Sequence, residues 1–376
     1  MRVRVDDLEI VGVNSMRVEL STGIEANAFH VRIPNPRGEY TGMFVLPQEA
    51  RQEPITDPKE RSKLFDGRKA QIEIAGQVCF RGFCDDVRIE EIPLPSIELT
   101  GRDYTGLLID EVVSPQLSAA VSNVTSSTAV TRIANAFKLT PKVEKTTKIW
   151  GENQAFAAGT PVWSVVAELA GKEGFDAYVT RDGELVFRKR VMPAVISKTI
   201  VVPALSGGAR FLGSPRNDSG GESAMELEFY TAKTMALGLK VRCTGHDPKA
   251  NRSIVFTAES PLRNRPNYKV IEILDRTLRT RDLVSARAWA ELLRISKGLV
   301  AGKWTGPVDG NLRPGDALAV KYEGRRTGQE PLAGVYFVTK VTHNLAETGE
   351  FTTRAEFASK PLAMGTVEEI QRATSR

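Results

Sequence analysis

The amino-acid sequence predicts an α+β fold in which two related antiparallel β-units flank an α+β insert, and a further helix lies within the second β-unit. Three observations predict this class. Apolar and polar residues alternate from residue 1 to about 105, apolar residues recur at helical spacing between residues 115 and 190, and strand-like segments return after residue 225. Alternation with period two is typical of antiparallel strands with one face in water, whereas a helix has a period of 3.6.

The first β-unit shows this alternation in several short segments. Phe29, Val31 and Ile33 are separated by single polar residues. The runs 71–74 and 97–99 show the same pattern. Each run has the length of a half-buried strand, so the first 105 residues predict an antiparallel sheet.

The insert contains two helix signals and one hairpin signal. Ser126 or Ser127 is suited to cap a helix whose apolar residues recur every three or four positions. Thr160 followed by Pro161 is the pattern of an N-cap and a first helical residue. An Asp-Gly pair between two strand-like runs then predicts a tight hairpin.

The second β-unit repeats features of the first. A segment rich in Gly, Pro and Ser, 203–223, predicts a long exposed loop before it, and a helix is expected at about 281–298. Region 314–357 resembles region 67–99, because each opens on a glycine and continues as three alternating strands. This similarity indicates an internal repeat.

Composition and charge narrow the function classes. The chain has 376 residues and 41.2 kDa, with 41% hydrophobic and 26% charged residues. Its net charge is only +5 and its basic residues are interleaved with acidic ones, so specific nucleic-acid binding is not expected. No apolar run approaches the roughly 20 residues of a membrane span, and the start lacks a signal-peptide core, so we expect synthesis in the cytoplasm without membrane insertion.

Cysteines and histidines predict neither a disulfide nor a metal site. Cys79 and Cys84 are five positions apart in one strand-like segment, which places them on opposite faces unless a bulge at Gly82 intervenes. His343 is expected to be a packed or partly exposed strand residue, and His30 to face water or a partner. The pair His246-Asp247 is more typical of a polar turn than of acid–base catalysis.

Catalytic and cofactor motifs are absent from the sequence. It contains no phosphate-binding loop, no dinucleotide fingerprint, no nucleophile elbow and no zinc-protease motif, so no catalytic residue, cofactor or metal is predicted. Acidic residues that a cell-wall hydrolase would need are present at 85–86, 90–91 and 222–228. Exposed strand edges and loops usually carry such acids, so the non-enzymatic interpretation is favoured.

The segment Ile97–Asp110 carries the most specific motif. Its residues Gly101, Arg102, Asp103, Thr105 and Asp110 resemble the G-R-D-x-T-x-x-L-x-D signature that ends the first β-domain of phage baseplate hub proteins. That family includes the Mu-type hub, late control D proteins and the spike-hub proteins of contractile injection systems.

Weaker motifs extend this resemblance along about 350 residues in the same order. Upstream, the run 67–85 is similar to the family pattern G-R-x-x-x-I-x-I-G-G-x-x-x-x-G-x-x-D. One departure is Ala75, which stands in place of a second glycine. Downstream, the Asp-Gly hairpin is similar to a family hairpin, and Pro314-Gly315 is similar to the turn before a late family strand.

The resemblance implies a fold of two related β-barrel domains. The expected boundaries are 1–112 for the first barrel, 113–192 for the α+β insert, 193–360 for the second barrel with its helix, and 361–376 for a C-terminal tail. It also implies a homotrimeric ring in the virion tail or baseplate that adapts a six-fold tail tube to a three-fold central spike. The implied partners are the spike, tube, tape measure and baseplate wedge proteins, and the ring would form part of the channel for DNA ejection.

Other functions remain open at this stage. A tail-associated peptidoglycan hydrolase is the main alternative, and a nucleic-acid-binding protein is a weaker one. The sequence does not separate a phage hub from the same part of a bacteriocin or secretion-like particle, or a contractile tail from a non-contractile one.

Overall fold

The structure is a computed structural model. It describes residues 1–6, 8–38, 68–90, 92, 94–150, 156–190, 193–202, 222–223, 226–231, 239–259, 269–296, 300–322 and 332–359. The predicted loop 203–223 lies outside the described residues except for its last two positions, and the predicted tail 361–376 lies wholly outside them.

Most of the described residues form strands. The strands are β1 Arg2–Val5, β2 Leu8–Ile10, β3 Ser15–Ser21, β4 Ala28–Pro34, β5 Lys69–Ile74, β6 Gln77–Glu90, β7 Ser96–Asp103, β8 Thr140–Val143, β9 Asp176–Val179, β10 Glu184–Arg188, β11 Ile196–Val202, β12 Glu222–Ser223, β13 Glu226–Thr231, β14 Leu239–Asp247, β15 Arg252–Glu259, β16 Lys269–Leu274, β17 Val300–Pro307, β18 Ala317–Tyr322, β19 Gly334–Leu345 and β20 Phe351–Ser359. The helices are α1 Tyr104–Asp110, α2 Pro115–Val121, α3 Ser126–Ala136, α4 Val162–Glu173 and α5 Arg281–Ser296. The α+β class predicted from the sequence is therefore confirmed, whereas barrel closure and the domain boundaries stay predictions.

The strands of the two β-units follow one plan. In the first unit β5, β6 and β7 form an antiparallel meander, and β4 and then β3 continue it beyond β7. In the second unit β18, β19 and β20 form the same meander, continued by β17 and then β13. The middle strands β6 and β19 each carry a bulge, at Asp85 and at Thr339. The internal repeat read from the sequence is thus present in the strand pairing.

A glycine lies beneath an aromatic ring at the same place in both units. In the first, Gly101 on β7 faces Phe29 on β4. In the second the roles are exchanged, because Gly302 on β17 faces Phe357 on β20. Each glycine leaves the space that the ring of the facing strand fills.

The two units join through one strand pair. Strand β3 of the first unit pairs antiparallel with the C-terminal half of β19 from the second, so both units belong to a single 14-stranded sheet. They also share one apolar core. Its buried members include Val18, Val31, Ile72, Ile97, Leu318, Val341, Ala355 and Phe357. The relative position of the units is therefore fixed by backbone hydrogen bonds as well as by packing.

A second core lies under the insert. Helices α3 and α4 and the three-stranded sheet β8–β10–β9 contribute one side of it. The other side comes from the sheet β15–β14–β16 and from α5, which packs on α4 and on that sheet. The described parts of the segment 239–296, which are 239–259 and 269–296, thus pack on the insert. No helix among the described residues has the length and apolarity needed to cross a membrane.

The helices lie where the spacing predicts them, but their caps differ. The α3 cap is Thr125, whose side chain accepts from the backbone N–H of Thr128, rather than Ser126 or Ser127. The predicted cap Thr160 is also wrong, because α4 begins at Val162 after Pro161, without a side-chain cap. The backbone carbonyl of Thr160 instead accepts from Val113 N–H at 2.8 Å, which ties the chain before α4 to the segment after α1.

The cysteines do not lie on opposite faces as the spacing predicted. The pairing of β5 with β6 shifts register at Cys79, so Cys79 and its neighbour Phe80 are both buried. This bulge, rather than one at Gly82, reverses the alternation and brings Cys84 to the buried side as well. Both cysteines are free thiols.

The glycine–ring contact makes the first testable prediction. A Cβ added at Gly101 would lie 2.0 Å from the Phe83 carbonyl oxygen and 2.5 Å from the Phe29 ring. We expect Gly101→Ala to lower the free energy of unfolding by about 1–3 kcal/mol, because the backbone and ring must move apart. Gly171→Ala is the control, since an added Cβ there meets nothing within 4 Å. Thermal unfolding of both variants is the measurement, and an unchanged Gly101→Ala would contradict the prediction.

Candidate functional site at the motif junction

The G-R-D motif lies where β7 ends and α1 begins. Asp103 is the N-cap of α1, and its Oδ1 accepts from the backbone N–H of Thr105 at 3.0 Å. The other oxygen accepts from Asn27 Nδ2 at 2.6 Å. The Asn27 side chain in turn accepts from the backbone N–H of Ser21 at the end of β3. One buried carboxylate therefore connects β3, β7 and α1.

Burial governs the ionisation of Asp103. The side chain is 1% exposed, and removal from water raises the pKa of Asp103 to about 7, although the donors from Thr105 and Asn27 favour the ionised form. Because both carboxylate oxygens already accept hydrogen bonds, the group is placed to hold the chain rather than to act on a substrate.

Arg102 forms the outer half of the same junction. Its guanidinium donates two hydrogen bonds to Asp110 at the end of α1, at 3.0 and 2.7 Å, and its Nε donates to Asp85 at 2.6 Å. Asp85 is the bulged residue of β6, so the bulge turns a carboxylate towards Arg102. These contacts raise the pKa of Arg102 above its ordinary value. A planar fork on one carboxylate is a geometry that lysine cannot reproduce.

The remaining motif residues make the junction compact. Gly101 lies beneath the Phe29 ring, and Thr105 is buried in the first turn of α1. Gly106 follows, where an added Cβ would lie 3.2 Å from the Arg102 side chain. The motif is thus explained by one local arrangement of strand end, cap and ion pair.

A cavity of about 220 Å³ brings motif residues of both units together. Asp103 and Asn27 line it from the first unit, and Arg313 and Pro314 line it from the second. Gly315 follows with φ +96°, a left-handed conformation that favours glycine, and its N–H donates to the Val338 carbonyl at 2.8 Å. The Pro-Gly turn therefore positions the start of β18 against the middle of β19.

The insert closes this cavity with its hairpin. Arg81 on β6 donates to the Asp182 carboxylate at 2.8 Å, and Arg181 donates to the Val78 carbonyl. Tyr178 and Glu184 also line the space. The Asp-Gly hairpin predicted from sequence thus docks the insert onto the β-units.

Sequence reasoning missed several residues of the junction. Asn27 lies just before β4, where no sequence motif marks it. Its amide is explained by the hydrogen bond to Asp103, which only the folded structure shows. Arg81 lies within β6 and Arg313 lies in the segment before β18, 232 positions apart, and no local motif singles out Arg81. Their position on one cavity depends on the pairing of the two units, which no short spacing reveals.

The histidines and the turn follow the sequence interpretation. His343 is fully buried on β19, its Nδ1 lies 3.0 Å from Thr353 Oγ1, and burial lowers the pKa of its imidazole to about 4. His30 is 43% exposed and 3.9 Å from Glu98. Asp247 accepts from the backbone N–H groups of Lys249 and Ala250, which is the polar turn that was predicted.

The cysteines and acids do not converge on a reactive centre within the described part of the chain. Burial raises the pKa of Cys79 to about 11, of Cys84 to about 12 and of Cys243 to about 11. Asp85 is held by Arg102, and Glu90 by Arg32 at 2.9 Å. Over the described residues, His, Cys, Asp and Glu form no group of three that could hold a metal ion.

Comparison with known proteins places the fold. No family model and no curated protein matches the chain. A tail protein from Neisseria meningitidis superposes with a TM-score of 0.69 at 14% identity, covering 96% of this chain and 96% of that one. A prophage tail protein from Shewanella oneidensis gives 0.64 at 13% identity, covering 95% of this chain and 96% of that one.

A third structure connects the fold to secretion systems. An Escherichia coli component of the type VI secretion system, described as structurally similar to two T4 bacteriophage tail proteins, gives a TM-score of 0.54 at 8% identity, covering 97% of this chain and 78% of that one. The chain therefore has the fold of these tail proteins and of the secretion-system component, and the resemblance read from its motifs is confirmed at the level of the fold.

Asp103 makes a prediction about pH. A folded pKa of about 7 against an ordinary 3.8 means that the native state holds the proton more tightly than the unfolded chain. The contribution of protonated Asp103 to the free energy of unfolding is therefore fully present below about pH 4 and is lost as pH rises through about 7. We expect the free energy of unfolding of wild type, relative to Asp103→Asn, to fall by up to about 4 kcal/mol between pH 4 and 8.

Urea titrations over this pH range measure the difference. Glu25→Gln, which replaces an exposed acid shortly before Asn27 in the chain, is the control for the loss of one carboxyl group. A constant difference for Asp103→Asn would show that its carboxyl does not change protonation with folding.

Proposed function

We propose that this chain is a structural hub protein of a phage tail or related particle, and that three copies form a ring between the tail tube and the central spike. The observation that carries the proposal is the repeat of one strand plan within a single chain. Three copies would present six similar β-units to a six-fold tube, while the ring itself keeps the three-fold symmetry of a spike.

The rigid connection of the two units supports this role. An adaptor must present its repeated surfaces at a fixed rotation, since a ring closes only at the right angle. The β3–β19 pair and the shared core hold the units together, and the Arg81–Asp182 and Arg181–Val78 contacts hold the insert against the first unit. Such an arrangement is suited to a structural protein whose affinity for its partners comes from large buried interfaces.

The proposed partners follow from this position. The spike would dock on one face of the ring and the first tube ring on the other, with wedge proteins outside and the tape measure and then DNA in the lumen. The similarity to the Escherichia coli secretion component supports a place in a tail or tail-like particle, because that protein is described as structurally similar to two T4 bacteriophage tail proteins. The particle would be assembled in the host cytoplasm and act in the virion tail.

A non-enzymatic role is part of the proposal. The three carboxylates that line the cavity are each engaged, Asp103 by N–H donors, Asp182 by Arg81 and Glu184 by Lys142 at 3.4 Å. A glycosidase needs one acid and one free carboxylate at a fixed separation. Two structures of similar fold are described as tail proteins.

Native mass spectrometry of the purified chain tests the ring. We expect a species of about 124 kDa, three times the 41.2 kDa of one chain, alone or after addition of its spike. The mass should not depend on protein concentration over the range where a closed ring forms, because closure leaves no free interface. A chain that stays monomeric with and without the spike would contradict the trimer.

A cell-wall assay tests the absence of enzymatic activity. We expect no release of soluble fragments from purified peptidoglycan above the level of heat-denatured protein, because the cavity acids are already paired. A lysozyme sample serves as the positive control. Release that disappears in Glu184→Gln would instead establish the hydrolase alternative.

A further inference from the structure

We propose that strand β13 of one copy pairs antiparallel with residues 86–90 of β6 in the next copy, so that the sheet continues across the chain boundary. The number of copies in the resulting ring rests on the function proposed above, whereas the strand pair itself rests on the internal repeat. One edge of β19 is covered by β3 within the chain, whereas the equivalent edge of β6 pairs with no described strand.

The covered edge belongs to the second unit. Beyond its bulge at Thr339, β19 pairs with β20 on one side and with β3 on the other. Val341 and His343 on this half of β19, and Val18 on β3, are each 0% exposed. The chain thus shows how this edge of a β-unit is completed by a strand from the other unit.

The uncovered edge is the same half of the equivalent strand. Aligning the bulges, Asp85 with Thr339, places Val87 on the Val341 position and Ile89 on the His343 position. Over this stretch β6 pairs with β7, while its pairing with β5 ends at Phe83, and no other described strand pairs with it. Val87 is 36% exposed where Val341 is fully buried.

The strand equivalent to β3 is also left open. Strand β13 pairs with β17 on one side, and among the described strands it has no partner on the other. Tyr230 on β13 is 44% exposed. Phe229 occupies the position of Val18 and is only partly buried. Counting only the described strands, the first unit therefore has an unpaired edge of one type, and the second unit has an unpaired edge of the complementary type.

A second copy is the occupant that fits both edges. Within one chain the described strands β6 and β13 do not pair; they stand at opposite ends of the strand order β13-β17-β20-β19-β3-β4-β7-β6. Pairing β13 with β6 of a neighbour repeats the junction that β3 and β19 already make inside each chain. The contact is heterologous, so a closed ring pairs these two edges in every copy, and two exposed edges that invite aggregation are covered.

The in-chain pair fixes the expected register. Thr342 faces Glu19 and His343 faces Val18 in the β3–β19 pair. At the equivalent positions, Arg88 of one copy would face Tyr230 of the next, and Ile89 would face Phe229. An arginine beside a tyrosine ring and an isoleucine against a phenylalanine are both favourable cross-strand neighbours.

Disulfide trapping tests this register. In Arg88→Cys/Tyr230→Cys the two new thiols would be opposite each other at about 4.5–5.5 Å between Cα atoms, which a disulfide can bridge. The native cysteines of the described chain are buried free thiols. On non-reducing gels after mild oxidation we expect bands of two and three linked chains, a ladder that ends at three, and a return to one chain on reduction.

A mismatched pair controls for random collisions. Arg88→Cys/Glu226→Cys keeps both thiols on exposed positions of the same two strands but shifts them four residues, about 14 Å, out of register. It and the two single Arg88→Cys and Tyr230→Cys variants should give little cross-linking. Native mass of each variant shows whether assembly has survived the substitutions.

The outcomes separate this inference from the proposed ring. A trimeric mass with no excess of cross-links in the matched pair over the mismatched pair would overturn the strand pair and leave the ring. Register-specific cross-links in a ladder that runs beyond three chains would support the strand pair and overturn the three-copy ring. A monomer without cross-links at high concentration would overturn both.

Discussion

Backbone pairing between β3 and β19 is the constraint on which the rest of the structure depends. It joins strands that begin more than 300 residues apart in the chain and merges two β-units into one sheet with one core. A one-residue slip would turn Val18 and Val341 out of that core, so the register is strongly specified. The cavity at the Asp103 junction and the position of the Pro-Gly turn both follow from it.

Buried polar groups in this fold hold elements together in their neutral or paired forms. Burial moves the pKa of Asp103 up and that of His343 down, and in both cases this favours the uncharged form. In the second unit Lys198 is paired with Asp309 at 2.8 Å and lies over the Trp304 ring. Asp103 and Lys198 each find partners within their own chain, whereas of the two His343 ring nitrogens only Nδ1 lies within hydrogen-bond distance of another side chain, Thr353.

Local patterns in the sequence predicted local structure well. The helical insert, its Asp-Gly hairpin and the alternating strands were recognisable because each depends on neighbouring residues. The caps at Thr125 and Pro161 differed from the predicted ones by one or two positions. At α3 several adjacent hydroxyl residues could serve as the cap, and at α4 the helix starts after Pro161 without a side-chain cap. No residue pattern in the sequence marks the bulge at Cys79, so the prediction that Cys79 and Cys84 lie on opposite faces was wrong. The part of the site formed by Asn27 and Arg81 could not be predicted, because it exists only after distant strands pair.

The exchanged glycine and phenylalanine positions show what the repeat preserves. One unit places the ring on β4 and the gap on β7, and the other places the gap on β17 and the ring on β20. At these two equivalent positions one unit therefore has glycine where the other has phenylalanine. The quantity common to both is the summed volume of a cross-strand pair. The similarity between the two units is consequently visible in pairs of facing residues. A sequence comparison that scores each position separately does not detect it.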